Sequence, residues 1–351
     1  QATPSTDAND ASVGNVEVPA VIESQGRLFC VTPPASVVGS VLLRVTNLYD
    51  IWTNPAEFVF EAPPHVASVS PDRGTILGGS TITLHGKGFL DTETLQCLFG
   101  MVDATPARWI SSTRVQCETP PALVAGAVDL QFSTNGQDFS QGHTSYSSIV
   151  GENSDTNRVY GHALRFTYDH EPTLDRAFPA QGAIAGGTLV KIFGKHFRST
   201  MSIHCRFGSI DVAGTFLSSK TMRCLAPAAG QAGVVSLRVT MNGIDFSKDS
   251  LQFQYTSAIQ VVGISPKGGF VAGGTAVEVS TRNLRRGSTR TALCRFGDAG
   301  VVVASFESRN ILKCVSPPFR HNSNIFVALE ISTNGQDFTQ DGVRFHYQLP
   351  A

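Results

Sequence analysis

One nine-residue frame, P-x-x-G-x-x-x-G-G, occurs three times without a gap. Its copies are Pro71, Gly74 and Gly78-Gly79; Pro179, Gly182 and Gly186-Gly187; and Pro266, Gly269 and Gly273-Gly274. Such self-similarity describes an array of like units rather than one domain built around a single site. Each copy runs into alternating apolar residues, "STITLHGKGF", "TLVKIFGKHF" and "TAVEVSTRNL". Alternation with period two is the mark of a half-buried strand. The glycines mark tight turns or a close approach of backbone.

Further blocks follow in the same order. "CLFG" (97–100) and "CRFG" (205–208, 294–297) come first, then "CETPP", "CLAPA" and "CVSPP". An apolar strand and a turn come next, in "VDLQFSTNGQDFS", "VSLRVTMNGIDFS" and "VALEISTNGQDFT". The Asn-Gly pairs Asn135-Gly136, Asn242-Gly243 and Asn334-Gly335 predict hairpin turns with φ > 0 at both residues. Phe139, Phe246 and Phe338 are expected to pack beneath these turns. Each unit closes on an aromatic-alternating strand, "LRFTYD", "LQFQYT" or "VRFHYQ". Six or seven short strands per unit, with no sustained helical period, predict an all-β chain of tandem sandwiches.

The order of these blocks resembles the TIG (also called IPT) immunoglobulin-like domain over roughly residues 64–350, as three full copies. The resemblance implies immunoglobulin-like β-sandwiches, and a family that hosts adhesion, receptor, DNA-binding and structural roles. Measured against it, the chain divides into residues 1–63, 64–170, 171–257 and 258–351. The second of these carries extra length at 141–162, which reads as an inserted surface loop.

Residues 1–63 match the pattern only from its middle. "VGNVEVPAVIESQGRLFCVTPP" (13–34) lines up with "FGSIDVAGTFLSSKTMRCLAPA" (207–228), and the front strands are missing. A half sandwich leaves strand edges and an inner face open. The expectations for it are a start inside a longer precursor, irregular completion by its own segment, or strands donated by another molecule.

Seven cysteines divide into three in-repeat pairs, Cys97 with Cys117, Cys205 with Cys224 and Cys294 with Cys314, leaving Cys30. The position matching a partner for Cys30 is Ala11, so Cys30 is read as an unpaired thiol or an intermolecular contact. Repeated pairing predicts disulfides and an extracellular or cell-surface setting. Metal binding is the rival reading, but no Cys-x-x-Cys occurs and no His recurs beside the cysteines.

The chain carries no recognisable catalytic motif. G-x-S-x-G, H-E-x-x-H and the phosphate loop are absent, so no catalytic residue, cofactor or metal is expected. Asp138, Asp245 and Asp337 recur after the turn and are read as bonding its backbone. A net charge of −1 argues against a nucleic-acid partner, and the basic run at 282–290 reads as a solvated loop. No stretch of 18 apolar residues predicts a membrane span. No N-x-[ST] sequon occurs, while the Ser/Thr-rich tracts at 2–12 and 140–156 are candidate carriers of O-linked glycans.

The expected function is therefore an extracellular structural or adhesive repeat protein, with copies of itself as partner. Its sharper form is a filament subunit joined head-to-tail through the partial front domain. The alternative is a ligand-binding ectodomain fragment of a plexin-like or other cell-surface receptor. A transcription factor and an enzyme are both disfavoured.

Overall fold

A computed structural model describes residues 16–35, 37–46, 52–140, 164–284, 292–320 and 324–350. The loop at 141–162, most of the basic run at 282–290, the tract at 2–12 and nearly all of that at 140–156 lie outside the described residues. So does Ala11.

Three eight-stranded units share one topology. In the second, the strands lie in the order Thr173–Phe178, Leu189–Lys195, Thr221–Leu225, Ile210–Ser218, His204–Phe207, Gly233–Thr240, Leu251–Thr256 and Gln181–Ala183. Ile210–Ala213 pair with Phe207–His204, while the rest of the same strand pairs with Thr221–Cys224. One strand thus passes from one sheet to the other, which closes the sandwich.

The count exceeds six or seven because of Gln181–Ala183 and its equivalents Arg73–Thr75 and Gly268–Phe270. These three-residue strands pair in parallel with the closing strand. They are too short to show any period in sequence.

Alternation puts Val190, Ile192, Leu237, Val239, Phe253 and Tyr255 into one core. Phe253 meets Phe207 edge to face, with ring centroids 5.1 Å apart, and the other repeats reproduce this with Phe166–Phe99 and Phe345–Phe296. Cys205 and Cys224 join the two sheets through this core, with Cα atoms 6.3 Å apart. Cys97–Cys117 and Cys294–Cys314 are bonded in the same place.

The closing tyrosine ties the sandwich shut. Tyr168, Tyr255 and Tyr347 donate their hydroxyls to the carbonyls of Pro120, Pro227 and Pro317, at 2.9, 2.9 and 2.8 Å. Tyr255→Phe removes one such bond and is expected to cost about 1 kcal/mol in chemical denaturation. An unchanged midpoint would remove the bond from the account.

Burial pushes the Tyr168 and Tyr347 phenols up to about 12 and raises that of Tyr255. An unfolded tyrosine ionises near 10. Stability from these groups is therefore complete below about pH 10 and is lost as pH climbs towards 12. Alkaline titration should show phenolate absorbance and loss of β-structure rising together. Full tyrosine ionisation in an intact fold would contradict this.

The N-terminal segment forms two separate hairpins, Ala20–Ser24 with Arg27–Cys30 and Gly39–Leu43 with Ala56–Phe60. Cys30 ends the second strand, partly buried and unpaired.

Candidate functional site

The conspicuous constellation lies at the junctions between repeats, and the Asn-Gly turn builds half of it. In the second repeat, Asn242 Oδ1 accepts the amide hydrogens of Ile244 and Asp245, at 3.0 and 2.8 Å. Gly243 donates its amide to Thr240 Oγ1 at 3.0 Å. The side chain of Asn thus serves as a piece of backbone, an Asx turn. Only the glycine has positive φ, at 74°, 81° and 81° for Gly136, Gly243 and Gly335. The expectation of φ > 0 at both residues is corrected here. The Asn stays on the ordinary side of φ because its own amide closes the turn.

Closing the turn leaves the Asn amide nitrogen facing outwards. Asn242 Nδ2 donates to Asp245 Oδ2 at 2.7 Å and to the Arg73 carbonyl of the preceding repeat at 3.0 Å. The hydroxyl of Ser80, also in the preceding repeat, donates to Asp245 Oδ2. The next junction repeats these contacts. Asn334 Nδ2 donates to Asp337 Oδ2 at 2.6 Å and to the Gln181 carbonyl at 3.2 Å, and Thr188 Oγ1 donates to Asp337 Oδ2 at 2.6 Å. Here Gln336 adds a bond to each backbone group of Leu189, at 3.2 and 3.0 Å. Its counterpart at the first junction is Ile244, which cannot make them.

The receiving loop is the P-x-x-G-x-x-x-G-G frame. Arg73 and Gln181 follow its proline by two positions; Ser80 and Thr188 follow the Gly-Gly. The first of the paired glycines holds the loop's shape. Gly186 has φ +77°, and a Cβ there would stand 2.6 Å from Ala228 N. Only glycine permits both the angle and the approach.

The links between units are short, three residues each at 170–172 and 257–259. They are also pinned. Asp169 accepts from Arg73 Nε at 2.6 Å and stands 3.3 Å from Arg198 Nε of the next repeat. His196 Nδ1 lies 3.1 Å from the Glu171 carbonyl, and Asn283 Nδ2 donates to Ala258 O at 3.1 Å. Docking buries the partners: Ser80 is 1% exposed, Thr188 0% and Asn334 8%.

The first repeat carries the same turn, which among the described residues receives no bond from another repeat. Asn135 Oδ1 accepts from Gln137 N and Asp138 N, at 3.0 and 2.8 Å, and Asn135 Nδ2 donates to Asp138 Oδ2 at 2.8 Å. Yet Asn135 and Asp138 are exposed. At the far end of the array, Thr275 in the third receiving loop is partly exposed, where Ser80 and Thr188 are buried.

The following phenylalanines lie outside the core. Arg206 stacks over Phe246 at 3.7 Å and Arg295 over Phe338 at 4.2 Å. The expectation that Asp138, Asp245 and Asp337 bond the turn backbone is corrected: each carboxylate accepts from the Nδ2 of the turn Asn, whose Oδ1 takes the backbone amides, and Asp245 and Asp337 also accept from a hydroxyl of the neighbouring repeat. The sequence carried a signal for this: Ser or Thr after every Gly-Gly, and Asp three residues after every turn Asn. Among the described residues, no cluster of three His, Cys, Asp or Glu side chains could hold a metal ion. No described helix is long and apolar enough to cross a membrane.

The IPT/TIG domain family model matches residues 64–148, 172–255 and 260–347. Mouse Fibrocystin-L is 27% identical over 296 residues, covering 82% of this chain and 6% of that protein. Human Plexin-A3 is 24% identical over 237 residues, covering 63% of this chain and 11% of that protein. The first four curated relatives are matched over only 4–13% of their own length. Among solved structures, the full extracellular region of Plexin A4 aligns with TM-score 0.43 and 16% identity, over 81% of this chain and 24% of that one.

Proposed function

The chain belongs to the IPT/TIG domain family, and from that premise we propose that it is an ectodomain segment of a cell-surface receptor. Its work is to hold repeats in fixed relation and to engage other proteins. It is not catalytic. The chain is extracellular or cell-surface, in keeping with its three intra-repeat disulfides. The observation that carries the proposal is the recurrence of one clasp, with equivalent atoms, at both junctions. A three-residue link backed by such a clasp resists the free swivelling that is usual between domains.

The finer expectation, a head-to-tail filament of copies, draws no support from these contacts. Each complete repeat keeps its front strands paired within its own sheet. O-linked glycans on the tracts at 2–12 and 140–156 remain a proposal.

Surface biotinylation of cells that make the native protein tests the reading. Peptides from residues 64–350 should be recovered from the surface fraction with their cysteine pairs oxidised. Recovery only from the cytosol, with free thiols, would overturn it.

A further inference from the structure

One sheet face of the first repeat gathers basic side chains that bind nothing within the fold. In the strand register, His65 lies opposite Lys87, and Arg114 opposite His85. His85 and Lys87 stand two residues apart on the strand between, so the four side chains leave the sheet on one side. They line an open cleft of about 530 Å³, with Ala67 at the bulge of the outer strand. His65, Lys87 and Arg114 are exposed and His85 is half-buried. Among the described residues, none of the four side chains is held by an ion pair. Lys87 is the diagonal neighbour of Arg114, at a spacing of roughly 7–8 Å. Like charges that close, with no counter-charge between them, repel.

The other repeats fill the same places differently. The second has Thr173, Asp175, Phe193, Lys195 and Thr221; the third has Gln260, Val262, Ser280, Arg282 and Ile311. Each keeps one fixed cation, and the second adds an acid. The first repeat has two fixed cations, two imidazoles and no acid at these places. The acid on its three strands, Glu118, stands four residues along from Arg114, about 13 Å away. The sandwich itself does not require this set, since two sister repeats fold without it.

We infer that this cleft binds the sulfate groups of an acidic polysaccharide. Lys87 and Arg114 hold the sulfates, the arginine through its planar fork of donors. Ring N–H groups of His65 and His85 donate hydrogen bonds beside them. The cleft is open at the surface, so a polymer longer than the cleft can cross it. The chain's net charge of −1 does not oppose this. Exposed charges beyond about 8 Å are screened at physiological salt, and the ligand meets the cleft rather than the sum. The side chains select an oxyanion; the choice of a sulfated glycan rests on the extracellular or cell-surface setting. Binding is measured on the purified chain, so its failure leaves the surface-labelling test untouched.

Surface plasmon resonance of the whole chain over immobilised heparin, at physiological salt, is the test. Lys87→Ala with Arg114→Ala should weaken binding by about tenfold or more. It should also lower the slope of log affinity against log salt by about two, one for each lost contact with the polyanion. Lys191→Ala with Arg223→Ala is the control. Those two cations stand opposite one another on the same face of the second repeat, at the places of Thr83 and Gln116, outside the cleft. Their loss should leave binding unchanged. Three results overturn the inference: no binding of heparin by the parent chain; equal losses in the two double variants; or equal binding of unsulfated hyaluronan or of a DNA oligonucleotide of matched charge.

Discussion

Asn334→Ala is expected to destabilise the third repeat by about 3 kcal/mol and to loosen it from the second. The side chain accepts from Ser332 Oγ, Gln336 N and Asp337 N, and donates to Asp337 Oδ2 and the Gln181 carbonyl. With the residue 8% exposed, water cannot readily replace these partners. Each buried polar group left unmatched costs about 1–3 kcal/mol. Asn135→Ala removes the same internal frame from an exposed turn, so about 1 kcal/mol is expected there. Calorimetric melting of both variants makes the comparison, with small-angle scattering reporting the angle between repeats. Equal losses at the two positions, with scattering unchanged, would remove the junction role from Asn334.

Cys205→Ala with Cys224→Ala should cost the second repeat about 3 kcal/mol, as expected for cross-linking a loop of this length. The two cysteines lie 19 residues apart and bind one sheet to the other. Both are buried, so the lost sulfur contacts add to the loss of the cross-link. Denaturant titration with and without reductant separates these causes. The variant should ignore reductant at this repeat while the parent loses stability. A parent whose second repeat is indifferent to reductant would show that the core alone holds the sheets.

The repeat and its strands were legible because both are local. Side chains alternate across a strand whatever it pairs with, so "TLVKIF" and "LQFQYT" announce one buried face each. The Gly-Gly frame was equally plain, since glycine is demanded by its own backbone. Gln181–Ala183 was hidden: its only evidence is a partner strand some seventy residues away. Ser80, Thr188 and Gln336 were overlooked for a like reason, being ordinary surface residue types that gain meaning only from a neighbour.

The sequence by itself determined the three repeated sandwiches, the place of their turns, and the cysteines that staple them. Tertiary structure alone decided that the turn of one unit is the fastening of the next. Thr188 and Asp337 are 149 residues apart, and Asn242 and Arg73 169. No local pattern relates residues at such distances. Hydrogen bonds need donor and acceptor within about 3 Å, and only the stacking of one folded repeat upon another brings these groups that close.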